Sequence, residues 1–327
     1  MYKKELFVLS NIEQTDPALN LAIEEYAIRQ LPPENDYIFL YTNTPAVIIG
    51  KHQNVAEEVN LPFCAHHRIP VLRRISGGGA VYHDSGCLNF SFISAHTLKN
   101  FNVYTKFLNP ILEILTTLNL KAETDMHNNL LLFGKKISGN AQFTSAGRLL
   151  SHGTLLFNAD LEYLKESLKT NSAIHFESRS TKSRRTVVTN LCLHSDSDRC
   201  NIPFFRQELL KYLFGNELRE FVLSAQDLTA IHRLADEKYR HWEWNFGRSP
   251  DSILRKSVRI NGRTIRLMLR LKKGRIEQAQ IEGEAAFSTF ASALRGQKYE
   301  FLSLNAFLSV WPGSLPASLE GMLNLLF

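Results

Sequence analysis

Residues 73–84, Arg-Arg-Ile-Ser-Gly-Gly-Gly-Ala-Val-Tyr-His-Asp, constrain this chain more than any other stretch. An apolar run from Ile69 to Leu72 leads into two arginines and three consecutive glycines, and Ala80, Val81 and Tyr82 then resume a strand pattern. Glycine loses more conformational freedom on folding than any other residue, so a run of glycines belongs where backbone takes unusual dihedrals or approaches something closely. The loop is not a P-loop, because no Gly-Lys-Ser/Thr follows and it opens into a strand. It is not a dinucleotide fingerprint either, because no helix pattern starts at its third glycine. Freed backbone N–H groups with Arg73 or Arg74 beside them suit a phosphate or carboxylate. Ser-Gly-Gly-Gly by itself is explained equally well by a structural turn.

The rest of the chain alternates strand and helix signals. Leu6–Leu9 reads as a strand, and Asp16-Pro17 as an N-cap with proline at the first helical position, before apolar residues at helical spacing up to Pro32-Pro33. Tyr37–Tyr41, Val47–Ile49, Ile69–Leu72, Leu88–Ile93, Leu130–Phe133 and Leu149–Phe157 read as further strands. Val103–Leu120 reads as helical, with Pro110 as a kink or a break. Thr170–Thr186 is polar without a clear pattern, which predicts a mobile or binding loop. Pro203–Phe214 and Asp227–Arg240 read as helices, and a domain boundary is expected in the aromatic stretch Trp242–Gly247. Beyond it, Ser257–Ile260, Thr264–Leu271 and Arg275–Ile281, joined at Asn261-Gly262 and Lys273-Gly274, predict a small α+β unit with helices at Ala286–Leu294 and Asn305–Val310. The expected units are residues 1–245 and 246–327.

Charge and composition narrow the function classes only a little. A net charge of +6 on 327 residues mildly favours an anionic partner, and a nucleic-acid role has no other support. The four cysteines show no C-x-x-C pair and no zinc spacing with histidine, so no metal ligand set is read. The N-terminus has no apolar signal region, and no apolar run approaches the roughly 18 residues of a membrane span. A cytoplasmic setting with reduced thiols is expected. Lys136, between Lys135 and Ile137, is a solvated hairpin lysine by default. The small residues Ser138-Gly139-Asn140-Ala141 after it would instead let a ligand come close, where a buried ammonium stabilises developing phosphoryl or carbonyl charge. His152 reads equally as a satisfied core histidine. Arg179, Lys182, Arg184 and Arg185 read as a solvated run or, with a nucleotide substrate, as a closing lid.

Taken together and in order, five spaced motifs resemble the lipoate–protein ligases. They are Arg-Arg-x-Ser-Gly-Gly-Gly-Ala-Val-Tyr-His-Asp, Lys136-Ile-Ser-Gly-Asn-Ala, His152-Gly-Thr-Leu-Leu, Val188-Thr-Asn-Leu, and Trp242-Glu-Trp-Asn-Phe-Gly-Arg-Ser-Pro. The stretch Asp16-Pro-Ala-Leu-Asn-Leu-Ala-Ile-Glu-Glu and the Gly50-Lys-His-Gln-Asn loop fit as well. The resemblance implies an α/β fold: a mixed-sheet catalytic domain like those of biotin ligases and class II synthetases, plus a small α+β C-terminal domain. It also implies activation of lipoate by ATP with Mg2+ to lipoyl-AMP, then transfer to a lysine of an acceptor. Lys136 matches the catalytic lysine. Arg74, Ser76, Gly77, Gly78, Gly79, His83 and His152 match the acyl side of the site. Ala80, Val81, Tyr82, Cys87, Asn128, Asn129, Arg184 and Arg185 match the nucleotide side. The implied partners are apo lipoyl domains of 2-oxoacid dehydrogenase E2 subunits or the glycine cleavage H protein, the implied state a monomer, with neither nucleic acid nor membrane involved.

Two positions depart from the family pattern. Cys87 stands where the family has an asparagine, and Asn129 where it has an aspartate. A thiol lacks an amide's paired donor and acceptor, and an amide lacks a carboxylate's charge. These departures keep open a lipoyl or octanoyl transferase with weak or no ATP activation, or a non-catalytic lipoate- or nucleotide-binding relative. Retention of Lys136 argues against the latter. Cys87 as an acyl-carrying nucleophile is disfavoured, because sequence fixes no histidine beside it except His83.

Overall fold

Residues 36–41 and 87–95 are buried along nearly their whole length, as strands covered on both faces must be. The computed structural model describes residues 5–10, 14–96, 103–195, 198–260, 262–283, 286–312 and 315–327, and in it these two runs are central strands of an eight-stranded sheet. Chain order begins with β1 (Leu6–Ser10), helix α1 (Pro17–Gln30), β2 (Asp36–Tyr41), β3 (Ala46–Ile49), β4 (Val71–Arg73), β5 (Val81–His83) and β6 (Cys87–Ala95). β7 (Glu123–Thr124), β8 (Leu130–Leu132), β9 (Lys135–Ser145), β10 (Arg148–Leu156), β11 (Ile174–Ser178) and β12 (Glu220–Val222) follow. β13 (Ser252–Ile260), β14 (Arg263–Lys272) and β15 (Arg275–Glu282) complete the strands. The large sheet runs β12-β1-β2-β6-β10-β9-β8-β7, parallel across β12, β1 and β2 and antiparallel elsewhere.

The period-two alternation of β2 separates two cores. Ile38 and Leu40 pack with Phe90, Phe92 and helices Thr105–Thr117 and Ile202–Phe214. Tyr37, Phe39 and Tyr41 face α1 and helix Ala225–Leu234. α1 starts as its sequence dictates: the Asp16 carboxylate accepts from Ala18 N at 2.8 Å, and Pro17 takes the first helical position. The break that Pro110 allows does not occur. Thr105–Thr117 is one helix, and Pro110 lies buried with Phe107 and Ile111 in its apolar stripe, whose burial outweighs one missing hydrogen bond.

β3, β4 and β5 form a small sheet that carries the glycine loop between β4 and β5. A third sheet, β11-β13-β14-β15, is antiparallel throughout. Its edge strand β11 lies within the polar stretch expected to be a loop. The half-buried Ile174 and Phe176 there alternate with exposed His175 and Glu177, and pairing with β13 turns that weak alternation into a strand. The residues after 245 therefore complete their sheet with a strand from far upstream. Helices Ala286–Ala293, Phe301–Ser309 and Leu319–Leu326 pack on it, the last without a counterpart in the sequence reading. Of the Asn261-Gly262 turn, Asn261 lies outside the described residues. No helix among the described residues is long and apolar enough to cross a membrane.

Leu254, Ile265, Leu269, Phe287 and Phe290 share one core with Val47, Ile49, Ile69 and Tyr82 of the small sheet. Because that core is continuous, Leu254→Ala should destabilise the whole chain by about 2–5 kcal/mol in one cooperative urea transition. Circular dichroism and tryptophan fluorescence should report the same midpoint. Separate transitions for the C-terminal residues would contradict the shared core.

Candidate active site

Backbone carbonyls crowded into a tight loop need donors, and two buried arginines supply them. Arg73, with no exposed surface, donates through Nη1 to the carbonyls of Gly50, Lys51 and Gln53 at 3.1, 3.2 and 2.7 Å. Its Nη2 reaches Asn245 O at 2.8 Å and Ser249 Oγ at 3.1 Å. Arg74 donates to Ile48 O at 3.1 Å, to Gly77 O and Gly79 O at 2.6 and 2.7 Å, and to Ser76 Oγ at 3.0 Å. The sequence reading offered these arginines as cations for a ligand; the structure commits the donors of Arg74 to the glycine loop and Ile48, and those of Arg73 to the Gly50–Gln53 segment, Asn245 and Ser249. Burial pulls both guanidinium groups down to about 10, helped at Arg73 by Arg248 and Arg74 and opposed at Arg74 by Glu24 and Tyr41. Both therefore stay charged at neutral pH. The glycines are required by contact. A side chain at Gly50 would meet Gly78 O at 2.1 Å, and Gly78 itself sits at φ +90°.

Beneath the loop runs a row of buried polar side chains. His152 Nδ1 contacts Glu24 Oε1 at 3.0 Å and its Nε2 contacts Ser76 Oγ at 2.7 Å. Glu24 also accepts from Tyr41 OH at 3.1 Å and from Ser91 Oγ. Burial alone would raise the Glu24 carboxyl, but the charge of His152 and these hydrogen bonds outweigh it and hold the group below its usual value. His83 Nδ1 accepts from Asn43 Nδ2 at 2.9 Å, which leaves Nε2–H to donate to Thr154 Oγ1 at 3.1 Å. Thr154 in turn donates to Asn89 Oδ1 at 3.1 Å. Burial, reinforced by Arg74, pushes the His83 imidazole down to about 3, so it is neutral near pH 7.

A cavity of about 270 Å³ lies over this row, bounded by Arg74, Gly78, His83, His152 and the apolar Leu21 and Ile48. A second, of about 400 Å³, lies beside it against Ala80, Val81, Tyr82, Leu156, Leu164 and Arg185. Lys136, Gly139, Thr154, Ser183 and Arg184 line both. Lys136 thus stands where the two spaces meet. Its backbone is fixed by hydrogen bonds with Val187 O and Thr189 N at 2.9 and 3.0 Å. Gly139 leaves room for its ammonium, since a side chain there would meet Nζ at 2.9 Å. Burial lowers the Lys136 ammonium, Asp125 opposes that shift, and Arg74 adds to it. The basic stretch after Ser178 is held down through Ser183, whose Oγ accepts from Ala80 N at 2.8 Å and Gln53 Nε2 at 3.0 Å, and whose N donates to Glu58 Oε1 at 3.1 Å.

The expected residues do not all converge. Arg74, Gly78, Gly79, His83, Asn129 and His152 border the first cavity, and Tyr82 and Arg185 the second. Ala80, Val81, Lys136 and Arg184 border both. Ser76 and Gly77 lie outside both walls and act through Arg74 and His152. Asn128 has a left-handed backbone, φ 61°, and its carbonyl accepts from Asn140 Nδ2 at 2.7 Å. Cys87 is fully buried against Leu156 and Ala159, outside both walls. Burial and the Asp84 carboxylate push its thiol well above the ordinary range, so it is no thiolate nucleophile. Sequence reasoning passed over Glu24, Ser183 and Asp125. A carboxylate within an otherwise apolar helical run was the available signal for Glu24; Ser183 carried none. Among the described residues, no group of three or more His, Cys, Asp or Glu could hold a metal ion.

The family model described as the lipoyl protein ligase A/B catalytic domain matches residues 16–214. Lipoate-protein ligase LplJ of Bacillus subtilis (strain 168) is 40% identical over 303 residues, covering 90% of this chain and 91% of that protein. A structure of lipoate-protein ligase A bound with ATP superposes with a TM-score of 0.62 at 27% identity, covering 76% of this chain and 99% of that one. A bi-partite lipoate protein ligase studied with its E2 lipoyl domain, from Thermoplasma acidophilum, gives 0.64 at 25% identity, covering 76% and 97%.

Two predictions follow from the buried groups. Arg74→Lys loses the planar fork, so amide exchange at residues 77–80 should rise at least about tenfold, equivalent to about 1.4 kcal/mol, while the β6 and β10 amides keep their protection. For His83, the unfolded chain titrates at the ordinary 6.5 and the folded chain at about 3. Between those values the unfolded state binds more protons, so this contribution is fully present above pH 6.5 and is lost as pH falls toward 3. Urea unfolding of His83→Gln should show a flatter loss of stability across that window, by up to about 1.4 kcal/mol per pH unit.

Proposed function

The chain belongs to the lipoate–protein ligase family and is an enzyme, and from that premise we propose that it activates lipoate with ATP and transfers the lipoyl group to a lysine of a lipoyl carrier domain. The observation that carries this reading is the position of Lys136 between two adjoining cavities. The first, with its apolar Leu21 and Ile48 and its buried polar row, suits an acyl chain ending in a carboxylate. The second, with apolar walls and Arg185 at its border, suits a nucleotide.

In the first step a lipoate carboxylate oxygen attacks the α-phosphorus of ATP, the bond to pyrophosphate breaks, and lipoyl-AMP forms. Negative charge grows on the α-phosphoryl oxygens beside Lys136, whose ammonium is already in place to meet it. In the second step the acceptor amine attacks the carbonyl of lipoyl-AMP, AMP leaves, the nitrogen loses a proton, and an amide results. The same ammonium then faces the carbonyl oxygen. Arg74 and its carbonyl partners keep the glycine loop closed over the acyl chain, which excludes water from a hydrolysable anhydride. His83, neutral and fixed by Asn43 and Thr154, shapes the polar end of that cavity without adding charge. Asp125, the carboxylate nearest in sequence to Asn129, already accepts three hydrogen bonds. These residues do not build a resident Mg2+ cage, and Mg2+ belongs with the triphosphate as part of the substrate.

The family relationship and the E2 lipoyl domain studied with the Thermoplasma ligase support a lipoyl domain as acceptor; an E2 domain and the glycine cleavage H protein are the two to supply. Incubation with lipoate, Mg-ATP and the apo acceptor should modify it, and so should synthetic lipoyl-AMP alone. Modification only with lipoyl-AMP would sink the activation step and favour a transferase. Lys136→Ala should lose at least about 100-fold in pyrophosphate release with its circular dichroism unchanged, and full activity would remove it from the mechanism.

A further inference from the structure

We infer that Asp125 is a positioning residue for Lys136, turning the Asn129 amide oxygen toward the space over Gly139 that the lysine ammonium also borders and providing the carboxylate charge that Asn129 lacks. The inference deepens the role given to Lys136 above and rests on it. Asp125 precedes the turn into β8. Its Oδ1 accepts from the backbone N–H of His127 and of Asn129, both at 2.8 Å, and its Oδ2 accepts from Asn129 Nδ2 at 2.7 Å. The last bond fixes the sense of the amide, because a flipped Asn129 would set two oxygens against each other. With Nδ2 turned to Asp125, Asn129 Oδ1 faces the cavity above Gly139. There it lies 4.0 Å from the point a Gly139 side chain would occupy, and Lys136 Nζ lies 2.9 Å from the same point.

Charge supports the same assignment. Arg74 comes toward Lys136 from the glycine loop, Lys182 and Arg184 from the segment after Ser178, and His127 from the turn itself. The other nearby carboxylates are engaged. Glu24 holds His152, Glu57 contacts Ser180 and Lys182, and Glu58 accepts from Ser183 N. Asp125 is the carboxylate whose field favours the charged form of Lys136. A half-buried ammonium among cations needs such a partner to remain ionised until an anionic substrate arrives.

Asp125→Asn keeps an oxygen for the two backbone N–H groups but removes the negative charge and sets its own Nδ2 against Asn129 Nδ2, so the amide must turn and charge and amide orientation are lost together. The double variant Asp125→Asn/Asn129→Asp reverses the pair and returns a carboxylate beside Lys136. The first readout is the titration of Lys136 in the substrate-free protein, followed by NMR of ¹³Cε-lysine-labelled chain with Lys136→Arg assigning the signal. The second is the rate of pyrophosphate release with lipoate and Mg-ATP. Asp125→Asn should move the titration about one pH unit lower and slow release about tenfold. The double variant should restore both to within about threefold. An unchanged titration in Asp125→Asn would overturn the inference. So would a loss of rate that the double variant fails to rescue, since Asp125 would then serve only to fold the turn. The titration needs no substrate, so its outcome stands apart from whether the proposed reaction is correct.

Discussion

Two buried guanidinium groups, neither in ion-pair contact with a carboxylate among the described residues, hold this structure in its working shape. Arg73 gathers the carbonyls of the Gly50–Gln53 loop and of Asn245, and so ties the glycine loop's base to the entry of the C-terminal residues. Arg74 gathers the carbonyls of the glycine loop itself. Burying such charges is costly unless hydrogen bonds replace water, and here backbone oxygens of several segments do so at once. No single local segment could supply that many acceptors. The arrangement therefore exists only when β3, β4, the glycine loop and residues 244–249 have all come together, and it leaves positive charge next to the cavity where an anionic substrate would sit.

The chemistry depends on that frame in two ways. Closing the loop through Arg74 puts Ser76 against His152, and His152 against Glu24 across the sheet, so an apolar helix and the glycine loop become parts of one polar row. Closing it also presents Ala80 N to Ser183, which draws the basic segment over the site. Lys136 lies between the spaces these contacts define. Its strand is set by pairing with β10 and by the Val187–Thr189 backbone, so its place is decided by the sheet.

How much of this was legible depended on the range of the interaction. The capping of α1 by Asp16 and Pro17 is local, and the sequence stated it correctly. The glycine loop was marked by composition, whereas Lys136, His83 and His152 were tied to a site only by the resemblance; all four border one cavity. Ser183 could not be singled out, because nothing distinguishes it among polar neighbours until Ala80 and Gln53 reach it. Cys87 was assigned to the nucleotide on motif alignment, whereas its position at the start of β6 turns the thiol into a small core with Leu156. β11 was missed for a related reason. Five residues of weak alternation carry little propensity, and only the open edge of β13 makes them a strand.

By itself the sequence determined which residue types are present at the loop, the periodicities that build the two-faced central strands, and the family to which the chain belongs. Those properties follow from short-range geometry and from the order of motifs. The tertiary structure decided what each charged group is for. It turned Arg73 and Arg74 from ligand cations into clamps, kept His83 neutral and Cys87 protonated, and brought the Asp125 carboxylate to where its charge favours the Lys136 ammonium. The reason is physical: hydrogen-bond partners, burial and electrostatic neighbours are contributed by segments as far apart as Arg73 and Ser249, and a charge takes its role from them.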